Sequence, residues 1–240
     1  MNRRELVKRY IVFLIGLYIN SFGVSFVTKA SLGTSPISSI PYVLSLGFCP
    51  TLGQFTIIFS LLLIVLQVAI LGKKFQKVQL LQVPVSIAFG YFIDSSMKIL
   101  CWLNPDQYYL KIASLLIGCV ILGFGVYLEV IADVVMLSGE AFVKSITQRF
   151  KVEFGITKVC FDISVTVIAV IVSAFLLHEI QGVREGTIFA AFFVGLIARS
   201  CGRMLFPFTN WLFPDAYDLS LNADIYGVEK AAEIIIELAK

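Results

Sequence analysis

Six long runs of apolar residues organise the chain, at roughly 10–27, 55–71, 80–100, 110–130, 156–177 and 188–205. Each is close to the length of helix that crosses ~30 Å of hydrocarbon. A membrane β-barrel would instead show ~10-residue segments alternating apolar and polar; the stretch FSLLLIVLQVAIL (59–71) does not alternate. The pattern predicts an all-α polytopic membrane protein with six transmembrane helices. Two further stretches fit neither a span nor a loop. SLGTSPISSIPYVL (31–44) is too polar and Pro-rich for the first and too apolar for the second, and DVVMLSGEAFVKSITQRFKVEFG (133–155) poses the same problem.

Composition agrees: 58% of the 240 residues are hydrophobic and only 15% charged, far less charge than a soluble domain of this size carries. The net charge of +3 is small, and its basic residues fall between the apolar runs, so they report topology rather than nucleic-acid binding. Arg3, Arg4, Lys8 and Arg9, then Lys73, Lys74 and Lys77, then Lys144, Arg149 and Lys151, and finally Arg199 and Arg203 all belong on the cytoplasmic side of an inner (plasma) membrane by the positive-inside rule. If 31–48 crossed the membrane, Lys73–Lys77 would emerge outside. The stretch is therefore expected to be re-entrant, or a pair of short broken helices, entering and leaving on the outer side. Its twin near Gly139 does the same from the cytoplasm. Both termini then face inward, while CWLNPDQYY and HEIQGVRE face out. The basic start also suits a signal peptide, but its apolar run continues without a small-residue cleavage site, so it is read as the first permanent span.

The two halves resemble each other. LIGLYINSFGV (14–24) aligns with LIGCVILGFGV (116–126). In the same register Gly53 meets Gly155 and Phe59 meets Phe161, and three residues further Gly90 meets Gly195. The odd stretches fall at the same place in each half. Three spans per half make the second half run opposite to the first: two inverted three-helix repeats, each with a broken or re-entrant segment. The expected organisation is a first membrane repeat over 1–102, a second over 103–206, and an interfacial aromatic segment with a cytoplasmic C-terminal helix over 207–240. That helix docks on the cytoplasmic face or on a second copy of the chain as a homodimer.

The combination of LGTSPISSIPYVLS, LSGEAF, KVCFDISV and GVREGTIFAAFFVG resembles the YczE/YyaS/YitT group of bacterial integral membrane proteins, over about residues 8–205. The resemblance implies a multi-span inner-membrane protein and no agreed substrate.

Inverted repeats with interrupted segments at matching places point to a secondary transporter and to its binding site. The expected substrate-binding residues are Asn20, Thr34, Ser35, Pro36, Ser38, Ser39, Ser138, Gly139 and Glu140. Ionisable groups inside spans are costly, which singles out Glu140, Asp162, Glu129 and Asp133 for ion coupling. Glu140 either binds a proton, cation or substrate amine or forms a helical pair with Lys144. Asp162, deep in the fifth run, is expected to face the bundle interior. Glu129 and Asp133 are spaced to share a proton, or sit at a wet helix end. Asn20 needs a partner on a neighbouring helix or on the ligand. Asp94 is read as an interfacial anchor, and Thr187 as a cap for the last helix.

A site holding Glu140 and Asp162 favours protons and cationic or zwitterionic solutes. A membrane-embedded substrate-binding subunit of a larger importer and a small channel are the competing readings. The five cysteines have no metal spacing and His178 is the one histidine. With no nucleophile–base pair and no nucleotide loop, neither an enzyme nor a cofactor is expected. The expected partners are the lipid bilayer and a small-molecule or ion substrate.

Overall fold

The computed structural model describes residues 3–179 and 181–205, together with Phe208, Leu212 and Phe213. The elements within them are helical: α1 (Arg3–Lys29), α2 (Pro36–Gly47), α3 (Leu52–Leu71), α4 (Gln82–Ile99), α5 (Tyr108–Ala132), α6 (Ser138–Phe150), α7 (Phe154–Leu177) and α8 (Glu185–Met204), with short 3₁₀ turns flanking α4. Six of these, all but α2 and α6, are long and apolar enough to cross a membrane, and they coincide with the six apolar runs. The protein is an α-helical multi-pass membrane protein.

The two odd stretches are separate short helices rather than breaks within longer ones. Pro36 opens α2, where its missing N–H costs no hydrogen bond. The 12 residues of α2 and 13 of α6 rise 1.5 Å each, too little to cross the hydrocarbon. α3 begins on a capping box, with Thr51 Oγ1 accepting from Gln54 N and the Gln54 side chain accepting from Thr51 N. α5 and α7 end on Asp133 and His178 in left-handed backbone.

α1 and α5 form the centre. Arg9 donates to Ala132 O, Gly23 lies on the Leu122 backbone and Gly118 on Val27. As the α1 number rises the α5 partner's falls, so the two helices are antiparallel. Glycine decides how close they come: a Cβ on Gly23 would sit 2.5 Å from Leu122 N, and one on Gly125 2.5 Å from Asn20 N. Small residues let backbones approach in this way where lipid gives helices no hydrophobic reason to associate.

The outer helices repeat a scheme. α4 packs on α1 and α8 on α5, while α2 packs on α7 and α6 on α3. The α3–α4 contact is not repeated. α3 and α4 meet at Gly53 and Gly90, each of whose Cβ positions is filled by the other's carbonyl oxygen. Their sequence counterparts in α7 and α8 do not meet: Gly195 has nothing within 4 Å and Gly155 only Glu153. The aligned glycines therefore serve different packing in the two halves.

Candidate functional site

The first turns of α2 and α6 face each other, with the Ile37 side chain lying where a Gly139 Cβ would project. Neither helix start carries a side-chain cap: Ser35 and Leu137 precede them in extended backbone and make no capping bond. The positive ends of both helix dipoles are thus open to polar partners.

Buried hydroxyls line the approach to α2. Thr28 and Thr34 share a hydrogen bond of 2.8 Å, Ser35 donates to Ser38 at 2.9 Å, and Ser39 donates to Pro36 O at 2.5 Å. Thr187 does not cap α8, as its sequence position suggested. Arg184 holds the cap position, and the Thr187 hydroxyl accepts from Thr34 N at 3.3 Å instead. The reason is tertiary: Gly186 N bonds to Leu32 O, which draws the first turn of α8 onto the chain entering α2.

The approach to α6 is lined by amides that sequence reading missed. Gln67, fully buried on α3, donates to Gln82 Oε1 at 3.2 Å and to Ser138 O at 3.1 Å. Its own Oε1 is buried without a hydrogen-bond partner, as is Ser86 Oγ one turn beyond Gln82. A glutamine inside LLIVLQVAIL was the available signal, because an amide at that depth needs a partner.

The expected acidic residues divide. Glu129 is buried and accepts from Asn20 Nδ2 at 2.9 Å across the α1–α5 interface, which supplies the partner Asn20 was expected to need. Glu129 and Glu140 lie within electrostatic reach of each other. Glu140, half-buried in the first turn of α6, also feels Lys158 and Asp162 on α7. Burial raises its carboxyl above the ordinary value, the Lys158 ammonium opposes that, and the Asp162 carboxylate adds to it. Asp162 is not a lone buried carboxylate: Lys158 Nζ binds both its oxygens, at 2.7 and 2.9 Å. Asp133 is exposed just past the end of α5 with φ +46°, so it leaves the buried face that carries Glu129. Asp94 accepts from Thr51 Oγ1 at 2.6 Å and Gly53 N at 2.8 Å, which makes it the anchor of the α3 start.

Two cavities flank this region. One of about 630 Å³ opens between the end of α1, the α2 helix, the start of α3 and the end of α4; Lys29, Tyr42, Asp94 and Lys98 are among its walls. The other, about 270 Å³, lies among α6, the α5–α6 link and the turns before α4, with Lys74, Gln82 and Lys144 among its walls.

Residues 7–203 match the model of DUF6198, a family of unknown function. The chain belongs to that family. No curated protein and no solved structure matches it. The family match spans all eight helices but for the first four residues of α1 and the last of α8, so Glu129, Glu140, the short helices and both cavities lie within the family's own extent. Of the expected C-terminal region, only Phe208, Leu212 and Phe213 are described. Phe213 is buried against Tyr127, Leu128 and Ile131, with the Arg9 guanidinium 4.8 Å above its ring. The proposed helix in the tail lies outside the described residues.

Proposed function

We propose that this protein is a small secondary transporter that moves a solute across the inner membrane, coupled to a proton or cation. The observation that carries the reading is the pair of uncapped short helices meeting at Ile37 and Gly139 beside buried Glu129 and half-buried Glu140. Interrupted backbone is tolerated at membrane depth where it is buried in protein or lines a cavity, and helix starts at such a place are suited to a polar ligand.

An inverted repeat supports the reading. α6 starts 102 positions after α2 (138 against 36) and α7 102 positions after α3 (154 against 52). That is the shift relating the LIG and FGV triplets of α1 and α5. The antiparallel α1–α5 pair and the exchange of α2 and α6 between the halves agree with a two-fold axis in the membrane plane. In this reading α2 and α6 are re-entrant from opposite sides, both termini are cytoplasmic, and the multi-span character implied by the YczE/YyaS/YitT resemblance follows.

The coupling role falls to Glu140, with Glu129 held by Asn20 as its electrostatic neighbour. Lys158 and Asp162, themselves an ion pair, act on Glu140 in opposite senses. The test is solute uptake into liposomes containing this chain alone, with and without an imposed proton gradient. Gradient-driven uptake that disappears in Glu140→Gln with Lys144→Met, while thermal unfolding is unchanged, supports the reading. Uptake at the parent rate in that variant, conductance without coupling, or uptake only with an ATPase present refutes it.

A further inference from the structure

The larger cavity has a charge pattern that the coupling residues do not account for. Lys29, half-buried at the end of α1, and Lys98, near the end of α4, both border it. Neither has an ion-pair partner among the described residues. Among the described residues Asp94 is the one carboxylate on its walls, and its two oxygens hold Thr51 and Gly53 at the start of α3. Tyr42 of α2 adds a phenol to the wall, whereas the Ser45 and Thr28 hydroxyls that also line it donate to the backbone oxygens of Tyr42 and Val24. The smaller cavity repeats the chemistry. Lys74 and Lys144 border it with Gln79, Gln82 and Gln148, and no carboxylate does. The two cavities also occupy matching positions: Tyr42 and Leu46 of α2 correspond to Lys144 and Gln148 of α6 at the 102-residue shift, and both pairs line their cavities. Glu129, Glu140 and Asp162 are among the walls of neither cavity, and Asp162 is already neutralised by Lys158.

We propose that the solute is a small anion bearing a carboxylate or phosphate, and that Lys29 and Lys98 receive it in the larger cavity. The inference rests on the transporter reading for its direction of travel but not for the binding itself. It replaces the expectation of a cationic or zwitterionic solute, because Glu140 and Asp162 line neither cavity. A cation in this cavity would meet two ammonium groups and one carboxylate already bound at both oxygens. An anion would meet two ammonium groups, one more positive charge than the Asp94 carboxylate offsets, and the Tyr42 phenol. Uptake of an anion together with a proton on Glu140 would also lower the charge moved per cycle.

Two native thiols report on this field. Cys49 and Cys101 are exposed and both border the cavity, whereas Cys160 is exposed on α7 away from it. The experiment measures, by mass spectrometry of each cysteine in phospholipid-free micelles, the reaction rates with a sulfonate-bearing and a trimethylammonium-bearing methanethiosulfonate. Rates are normalised to those of 2-mercaptoethanol. Two ammonium groups against the one Asp94 carboxylate leave a net positive charge within about a Debye length, which should favour the anionic reagent at Cys49 and Cys101 by roughly fivefold at low salt. The bias should collapse in 1 M salt, vanish in Lys29→Gln with Lys98→Gln, and persist in Lys29→Arg with Lys98→Arg, with Cys160 unaffected throughout. Equal or cation-favouring rates in the parent overturn the proposal. So does a bias that survives both the glutamine variant and high salt; if the glutamine variant does not fold, the salt series decides alone.

Succinate and inorganic phosphate are then added as competitors. Slowing of Cys49 modification by either marks a soluble anion. Slowing only by added phosphatidylglycerol marks a lipid-headgroup site and overturns the solute assignment, as does no slowing by any of the three. Anion bias and protection without uptake into liposomes would sink the transporter reading and leave the anion site standing. Uptake of an organic cation with no bias at Cys49 would do the reverse.

Discussion

Gly23 offers a direct test of the α1–α5 centre. A Cβ added there would lie 2.5, 2.6 and 2.7 Å from the N, Cα and Cβ of Leu122. Favourable carbon contacts begin near ~3.5 Å, so the helices must part by roughly 1 Å. Two of the three atoms belong to backbone and cannot turn aside. A gap of that order forfeits about a quarter to a half of the dispersion attraction of the atoms it separates. Overpacking of this kind costs about 1–3 kcal/mol, and the backbone contact puts Gly23→Ala in the upper part of that range. For a chain of this length that corresponds to a fall in Tm of about 5–10 °C. Gly195→Ala is the matched control: the same change is made in a helix, but nothing lies within 4 Å of the new methyl group. Alanine's helix preference over glycine, up to ~1 kcal/mol, acts there unopposed. Thermal unfolding in one detergent, followed by helical circular dichroism, should therefore show Gly23→Ala well below the parent and Gly195→Ala at or slightly above it. Equal shifts for the two variants would refute the close antiparallel crossing, and with it the central contact on which the site depends.

Three further outcomes follow from the polar contacts. Asn20→Ala removes the hydrogen bond to buried Glu129 and should cost about 1–3 kcal/mol; a double-mutant cycle with Glu129→Gln should show coupling, and strictly additive losses would argue against the pair. Asp94→Ala releases Thr51 and Gly53 N and should speed amide hydrogen exchange over the first turn of α3 while leaving α7 unchanged, at a cost of about 1–2 kcal/mol. Because the Glu140 carboxyl is raised above its usual 4.5, the folded chain holds that proton more tightly than the unfolded chain does. The associated stability is complete below pH 4.5 and is lost as pH rises through the raised value, so Glu140→Gln should flatten the fall in Tm as pH rises above 4.5. An unchanged pH profile in that variant would show that Glu140 titrates as an ordinary surface carboxyl.

The six spans and the special character of residues 31–44 and 133–155 were legible in the linear pattern, because the length and polarity of a segment decide whether a helix can lie in hydrocarbon before any neighbour is present. The shift of 102 residues was legible for the same reason: it is a property of spacing. Partners were not. Asn20 announced only that a buried amide needs one, and that the partner is Glu129, more than a hundred residues away, depends on how closely the glycines of α1 and α5 let two backbones approach. Thr187 looks like a cap because capping is local, yet the tertiary bond from Gly186 N to Leu32 O turns its hydroxyl toward Thr34. Asp162 stood out as a carboxylate within an apolar run, and its ion pair with Lys158, one turn earlier on the same helix, is local and was there to be read. The convergence of Lys29 and Lys98 on one cavity has no signature in sequence, since they stand 69 positions apart (98 against 29) on different helices. Hydrophobic burial is a one-dimensional selection that a chain displays along its length, whereas hydrogen bonds and charge fields depend on distances of a few ångströms that only the packed helices set.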